Sequence, residues 1–325
     1  MRKTGFIWMS VLVLLAGHAG AANREQTRSD ALADALAQPE CRAIEPFYWE
    51  VGNAGGVLAS GSAGRDAPGP STVMPVASAT KWLFGAYVVQ VRAGQLTPQD
   101  IQALVMQTGY VSHRHPRCVK RRDAKQAAFT VAECFAESAL AGGRNDEFTP
   151  AAVGQFNYNG GHFQAWAVQN GLGELNNATL AQRFNAVLGT ELQIGFESPQ
   201  LAGGARMSGA QYGRFLRKLL AGELQLGAML GQRAVCTDAR TCPGKAGESP
   251  LPPSLHWQYS LGHWVEPDAF SSAGAFGFYP WIAKDRSHYG VIAREKRALL
   301  NRPAPDSVAC GQLLRRALAG LAAQD

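Results

Sequence analysis

The sequence offers no membrane anchor. Its N-terminal apolar run, from about Phe6 to Ala16, is well short of the roughly 20 residues a helix needs to cross a bilayer. It contains no CxxC pair and no Cys/His spacing of a metal site, so neither a metal nor an organic cofactor is expected. Its one basic cluster, "HRHPRCVKRRDAK" from His113 to Lys125, has no interleaved aromatics and no nucleic-acid motif. Nucleic acid is therefore not an expected partner, and the cluster reads as a solvated loop; an anionic cell-surface polymer is the alternative ligand. There is no internal repeat or low-complexity segment. "CPGKAGESPLPPS" is a proline-rich loop and not a linker, because the strands after it must rejoin the sheet.

What is present begins with a leader. Arg2 and Lys3 precede the apolar run, and small residues around Ala19, Gly20 and Ala21 follow it, the plan of a cleaved secretory signal over residues 1–21. The first cysteine is Cys41, which argues against a lipoprotein. A mature chain of residues 22–325, exported to the periplasm or outside the cell, is expected. Removing Arg2 and Lys3 lowers the formal charge from +6 to a mild +4. In an oxidising compartment the six cysteines read as disulfides. The expected pairing is Cys41 with Cys310, Cys118 with Cys134, and Cys236 with Cys242. The last two close short loops and the first ties the two ends of the chain; other pairings remain open from sequence.

Periodicity divides the mature chain. "SDALADALAQ" has helical spacing with Ser29 or Asp30 as cap, and "FYWEVGNAGGVLASGSAG" reads as two strands around the turn Asn53 to Gly56. From Ser78 to about Arg92 an amphipathic helix is expected, closed by Gly94. The next 150 or so residues are mostly helical in pattern, among them "GHFQAWAVQNGLG", "ATLAQRFNAVLG" and a helix capped by Ser208 and stopped by Gly222. Extended segments return in "WQYSLGHWVE", "AFGFYPWIA" and "HYGVIAR", and an amphipathic helix ends the chain. The expected architecture is α/β (α+β): one sheet from both chain ends, flanked by helices, and an inserted all-helical lobe. The sheet lobe would span about 22–75 and 250–325 and the helical lobe about 76–249, in a single domain with a ligand cleft between the lobes.

The chemistry centres on "SATK". Ser78 and Lys81 are three apart at a helix start and so share one face. A serine hydroxyl needs a neighbour to remove its proton. Lysine can do so when burial lowers its pKa, and "KWLFGAY" supplies apolar surroundings. Alone, S-x-x-K arises often by chance. Here Tyr158 follows about eighty residues later in "FNYNGG", a polar, glycine-flanked turn before a helix.

With that second motif the sequence resembles the serine β-lactamase and penicillin-binding-protein superfamily, in particular its class C β-lactamase, D-alanyl-D-alanine carboxypeptidase and family VIII esterase branch. That branch carries S-x-x-K followed by Y-x-N, often preceded by F-x, and a K-T-G or H-x-G triplet on a strand lining the cleft. "SAGAFG", Ser272 to Gly277, fits the third position. The resemblance implies an antiparallel sheet and Ser78 as nucleophile, Lys81 as base and Tyr158 as proton shuttle. It further implies an oxyanion hole from the backbone N–H groups of Ser78 and Ala275, and substrate contacts at Asn159, Gly160, Ser272 and Gly274, the last letting a substrate backbone lie close. Similarity extends through "GQLTPQDIQALVMQTGY", "MSGAQYGRFLRKLLAGE" and "YSLGHWV" over most of the mature chain.

Two departures shape the functional expectation. Gly160 stands where the branch has an Asn that contacts the lysine and the substrate amide, and Ser272 where it has a Lys or His. A serine offers a substrate carboxylate only a hydroxyl donor, without the opposite charge of an ion pair. Arg294 is the candidate to compensate but is expected to face solvent. "GELNNAT" resembles the E-x-x-L-N signature of class A β-lactamases, but the residue three before Leu175 is Leu172, so Glu174 to Asn177 reads as a cap between helices. The leading expectation is a serine hydrolase working through an acyl-enzyme on a small or cell-wall-derived ester or amide. A peptidoglycan D,D-carboxypeptidase and a non-catalytic binding or sensor module are the alternatives.

Overall fold

The structure is a computed structural model that describes residues 25–113, 118, 129–136, 144–297 and 303–322. The leader and most of the basic segment His113 to Lys125 lie outside the described residues. Eleven strands are described: β1 (Phe47–Asn53), β2 (Gly56–Ala63), β3 (Met74–Pro75), β4 (Gly195–Phe196), β5 (Ala205–Met207), β6 (Val235–Cys236), β7 (Gln258–Ser260), β8 (His263–Val265), β9 (Ala269–Ser271), β10 (Tyr279–Ala283) and β11 (Tyr289–Ala293). Eight form one sheet in the order β2-β1-β11-β10-β9-β8-β7-β6. Every neighbouring pair in it is antiparallel.

The first hairpin forms where its turn chemistry predicts, with Asn53 Oδ1 accepting from Gly55 and Gly56 N–H. β1 then pairs with β11, 240 or so residues away, because both strands bury two faces and each needs a neighbour on either side. Period-two alternation sorts their side chains. Phe47, Trp49, Val51, Tyr279, Trp281 and Ile292 meet Leu32, Leu314 and Leu318 of the helices over residues 25–36 and Pro303–Ala322. Tyr48, Ile282, Tyr289 and Val291 face the larger core on the other side, where the Gly209–Leu220 helix packs through Tyr212, Phe215 and Leu216. The Cys41–Cys310 disulfide staples the two ends, and Cys118–Cys134 and Cys236–Cys242 close short loops, all three as expected from sequence.

Several details differ from the sequence reading. "WQYSLGHWVE" is a hairpin, β7 and β8, turning at Leu261 and Gly262, because its apolar residues are buried on both arms. The block between the chain ends is not wholly helical: β3, β5 and β4 form a second small sheet. The first helix covers residues 25–36, so Ser29 and Asp30 lie within it instead of capping it. "GHFQAWAVQNGLG" is regular helix only over Gly161–Ala167, since the backbone leaves helical geometry at Asn170 and Gly171. The Thr80–Val91 helix is not amphipathic. Every residue from Thr80 to Val89 is buried, because the helix runs between the Asn177–Leu188 helix, the Leu226–Met229 turn of helix and β8.

Candidate active site

The segment ahead of that buried helix is held backbone atom by backbone atom. β3 pairs with β5, and Val76 N–H continues the ladder to Ala205 O at 3.0 Å. Ala77 adopts a left-handed φ of +46°, which costs a non-glycine residue roughly 1–2 kcal/mol. The surroundings impose it: the carbonyls of Val76, Ala77, Ser78 and Ala79 accept from Ala79 N–H (3.1 Å), Thr80 Oγ1 (2.7 Å), Ser272 Oγ (3.1 Å) and Tyr212 Oη (2.8 Å). Thr80 Oγ1 in turn accepts from Ala205 N–H at 3.1 Å. Within residues 74–89 Ser78 is the only one that is not buried. A fixed, strained turn thus presents one hydroxyl.

Lys81, one turn on, is 5 % exposed, and its Nζ lies 2.9 Å from Ser78 Oγ. It also donates to Ala202 O at 2.6 Å. Among the described residues no carboxylate pairs with it, and burial pushes the amine down from its ordinary 10.5 to about 7. With one N–H committed to Ala202, the neutral amine has its lone pair free for the Ser78 proton.

Tyr158 completes the cluster. Its backbone N–H donates to Glu248 O at 2.9 Å, and its ring stacks on Trp264 with centroids 5.2 Å apart. Lys81 Nζ sits 4.6 Å from the ring centroid. Burial pushes the pKa of the Tyr158 hydroxyl up to about 12, with the Ser78 side chain and the Trp264 indole acting in part against that shift. The phenol therefore stays protonated at neutral pH and can give a proton but not readily take one. Trp264, Ala202 and Thr80 are site residues that sequence reasoning did not single out; their roles depend on contacts across 100 residues or more.

The remaining residues divide. Ser272 is buried, and its hydroxyl is committed to the Ser78 carbonyl, so it tethers the nucleophile's backbone instead of facing a substrate carboxylate. "SAGAFG" is the turn between β9 and β10 and not strand: Gly274 N–H donates to Phe278 O at 2.7 Å and Gly277 N–H to Gly274 O at 2.9 Å. The side of Gly274 that a Cβ would occupy is filled by the Val76 carbonyl. Its lack of a side chain brings the turn against the Ser78 segment, which corrects the expectation of room for a substrate backbone there. Ala275, next along, is exposed. Among the described residues neither its amide nor that of Ser78 has a hydrogen-bond acceptor.

Asn159 is likewise a scaffold residue. Its Nδ2 donates to Val111 O and its Oδ1 accepts from Gly161 N–H, both at 2.8 Å, which leaves little for substrate. Arg294 is neither exposed nor in the cleft: it is 3 % exposed and donates to Ile44 O at 2.7 Å behind Gly277. The sheet's outer layer needs a donor for that carbonyl, and the guanidinium supplies it. Asn176 caps the Asn177–Leu188 helix by accepting from Ala178 and Thr179 N–H, as "GELNNAT" led one to expect.

No protein-family model and no curated protein matches the sequence. Solved structures do match the fold. A penicillin-binding protein from Bacillus halodurans superposes with a TM-score of 0.61 at 14 % identity, over 87 % of this chain and 98 % of that one. A D-stereospecific amidohydrolase from a Streptomyces species gives 0.59 at 15 %, over 89 % and 97 %. EstCE1, a hydrolase with promiscuous acyltransferase activity, gives 0.61 at 12 %, over 89 % and 99 %. Each is covered nearly end to end, so the likeness is one of whole architecture.

Proposed function

We propose that this chain, which has the β-lactamase/transpeptidase-like fold, is an exported serine hydrolase that cleaves a small or cell-wall-derived ester or amide through an acyl-enzyme. The observation that carries the reading is the Ser78 hydroxyl itself. It is the one accessible group in a buried run, 2.9 Å from a buried lysine that has no carboxylate partner among the described residues, and beside a protonated tyrosine. As Ser78 Oγ attacks the substrate carbonyl carbon, its proton passes to neutral Lys81. The carbonyl oxygen takes up negative charge, for which the amides of Ser78 and Ala275 are the available donors. Tyr158 gives its proton to the leaving oxygen or nitrogen and takes back from protonated Lys81 the one that Ser78 gave up. A water then repeats the sequence on the acyl carbon and frees the acid. An ester or amide without a required carboxylate fits best, because Ser272 and Arg294 are both committed to backbone carbonyls. Structural neighbours described as an amidohydrolase and as a hydrolase with acyltransferase activity support that substrate chemistry. The leader and three disulfides support export.

The test is intact-mass measurement of the mature protein with a fluorophosphonate and with p-nitrophenyl butyrate, beside Ser78→Ala. An adduct and turnover that both vanish in the variant are expected. Turnover unchanged in Ser78→Ala would overturn the proposal.

A further inference from the structure

The Tyr158 phenol can act on a leaving group only where its backbone holds it, and the peptide group joining Asn157 to Tyr158 is tied at both polar ends. Its N–H donates to Glu248 O at 2.9 Å. Its carbonyl, that of Asn157, lies 2.9 Å from Nε2 of His162, a fully buried imidazole on the Gly161–Ala167 helix that the reaction just described does not use. The other ring nitrogen, Nδ1, lies 3.2 Å from the Thr108 backbone nitrogen and 2.6 Å from Thr108 Oγ1. A backbone N–H can only donate, so Nδ1 is the bare nitrogen; a carbonyl can only accept, so Nε2 carries the hydrogen. Both contacts call for the same neutral tautomer, and burial keeps the ring neutral by pushing its pKa down to about 4. The ring thus bridges two segments, from Thr108, itself bridged to Val153, to the residue just before Tyr158. Asn157 is seated on the same scaffold by its own N–H, which donates to Met106 O at 3.0 Å, and by its Oδ1, which accepts from Glu248 N–H at 3.0 Å. Of the two polar ends of the peptide plane, one rests on another stretch of backbone and the other on this single side chain. Without the imidazole the plane is held at one end only and the carbonyl has to find another donor.

We propose that His162 is a positioning residue for the reaction: by holding the Asn157 carbonyl it fixes the peptide plane from which Tyr158 projects, and so keeps the phenol where it can protonate the leaving group. The inference rests on the acyl-enzyme reading with Tyr158 as its acid, and it gives a task to a buried imidazole that never touches substrate.

The experiment measures kcat/KM on p-nitrophenyl butyrate and on ethyl butyrate for the mature wild type and its His162 variants, alone and combined with Tyr158→Phe. Active sites are counted by fluorophosphonate labelling, so only folded enzyme enters the rate. p-Nitrophenolate departs without a proton and ethoxide does not, so a misplaced acid shows on the ethyl ester. His162→Phe keeps a ring in the buried space and removes both hydrogen bonds. It should lose about tenfold on the ethyl ester, the scale of one hydrogen bond, and stay within about threefold on the nitrophenyl ester. His162→Asn, too short for the Asn157 carbonyl but able to accept from Thr108, should show the same pattern, so the test stands if His162→Phe does not fold. His162→Gln, whose amide can still donate to Asn157 O, should recover most of the loss. Combined with Tyr158→Phe, His162→Asn should add nothing, because a positioning residue has no effect once the group it positions is gone. Equal losses on both esters, no loss on either, an added loss in Tyr158→Phe, or a wild type that cleaves only the nitrophenyl ester would overturn the assignment and leave the hydrolase reading standing. Absence of Ser78-dependent turnover of both esters in the wild type would overturn both.

Discussion

Lys81 carries the largest chemical consequence of any single residue. Its pKa is lowered by burial to about 7, so between about 7 and the ordinary 10.5 the unfolded chain holds a proton that the folded chain does not. Stability should therefore rise with pH across that window, the burial penalty being fully present below it. Lys81→Met should be more stable than the wild type near pH 7, and urea midpoints should converge as pH rises toward 10. Over the same acid limb kcat/KM on an ester should climb through about pH 7, as neutral lysine forms; a profile flat from pH 5 to 9 would remove Lys81 as the base. Tyr158→Phe deletes the proton carrier and should cost on the order of 10²-fold in kcat. Trp264→Phe keeps an aromatic ring against Tyr158 but removes the indole N–H, which acts to lower the pKa of the phenol. A smaller loss, roughly tenfold in kcat with KM unchanged, is expected, and steady-state kinetics of the pair would separate the two roles.

At the scale of elements, the turn before the Thr80–Val91 helix is what converts a serine into a positioned nucleophile. Four successive carbonyls are tied, two by Ala79 and Thr80 next to them and two by Ser272 and Tyr212 from far along the chain, and the tie at Ala79 comes from Tyr212 on a different helix. Tyr212→Phe leaves that buried carbonyl without its donor. It should destabilise the fold by about 1 kcal/mol and also slow Ser78 labelling, whereas a purely global effect would lower the melting temperature with labelling unchanged. The motifs around this turn were legible in the sequence because their residue types and spacing are local. The ties were not, since Tyr212, Ser272 and Ala205 are brought to it by the Gly209–Leu220 helix, the β9–β10 turn and the small sheet β3-β5-β4. Periodicity misjudged the helix itself for a related reason: it reports which residues are apolar, and a helix packed on all sides tolerates Lys81, Thr80 and Gly85 wherever a specific neighbour accepts them.

At the scale of the whole molecule, the sheet is assembled from the two ends of the chain, with the site-bearing helices between them in sequence. Cys41–Cys310 joins the same two ends across 269 residues, on the face of the sheet away from Ser78. Replacing both cysteines with serine should lower unfolding free energy by about 2–4 kcal/mol, and kcat of the folded fraction should not change. Denaturant titration combined with active-site labelling distinguishes that outcome from one in which the staple shapes the cleft.

The sequence by itself determined the elements whose signals are short-range: the Asn53 turn, the Ser208-capped helix, and the order of Ser78, Lys81 and Tyr158. Of the pairings open to six cysteines, the one chosen because it closes two short loops and ties the chain ends is the one the structure holds. Only the tertiary structure decided what the side chains are spent on. Asn159 looked available for substrate and is consumed by a backbone carbonyl and an amide, and Arg294, expected to face solvent, is buried against the Ile44 carbonyl. Ser272 serves the nucleophile's own backbone, and Trp264 and Ala202 entered the site unannounced. A hydrogen bond is chosen by whichever partner lies within about 3 Å, and that neighbour is set by packing between segments distant in the chain.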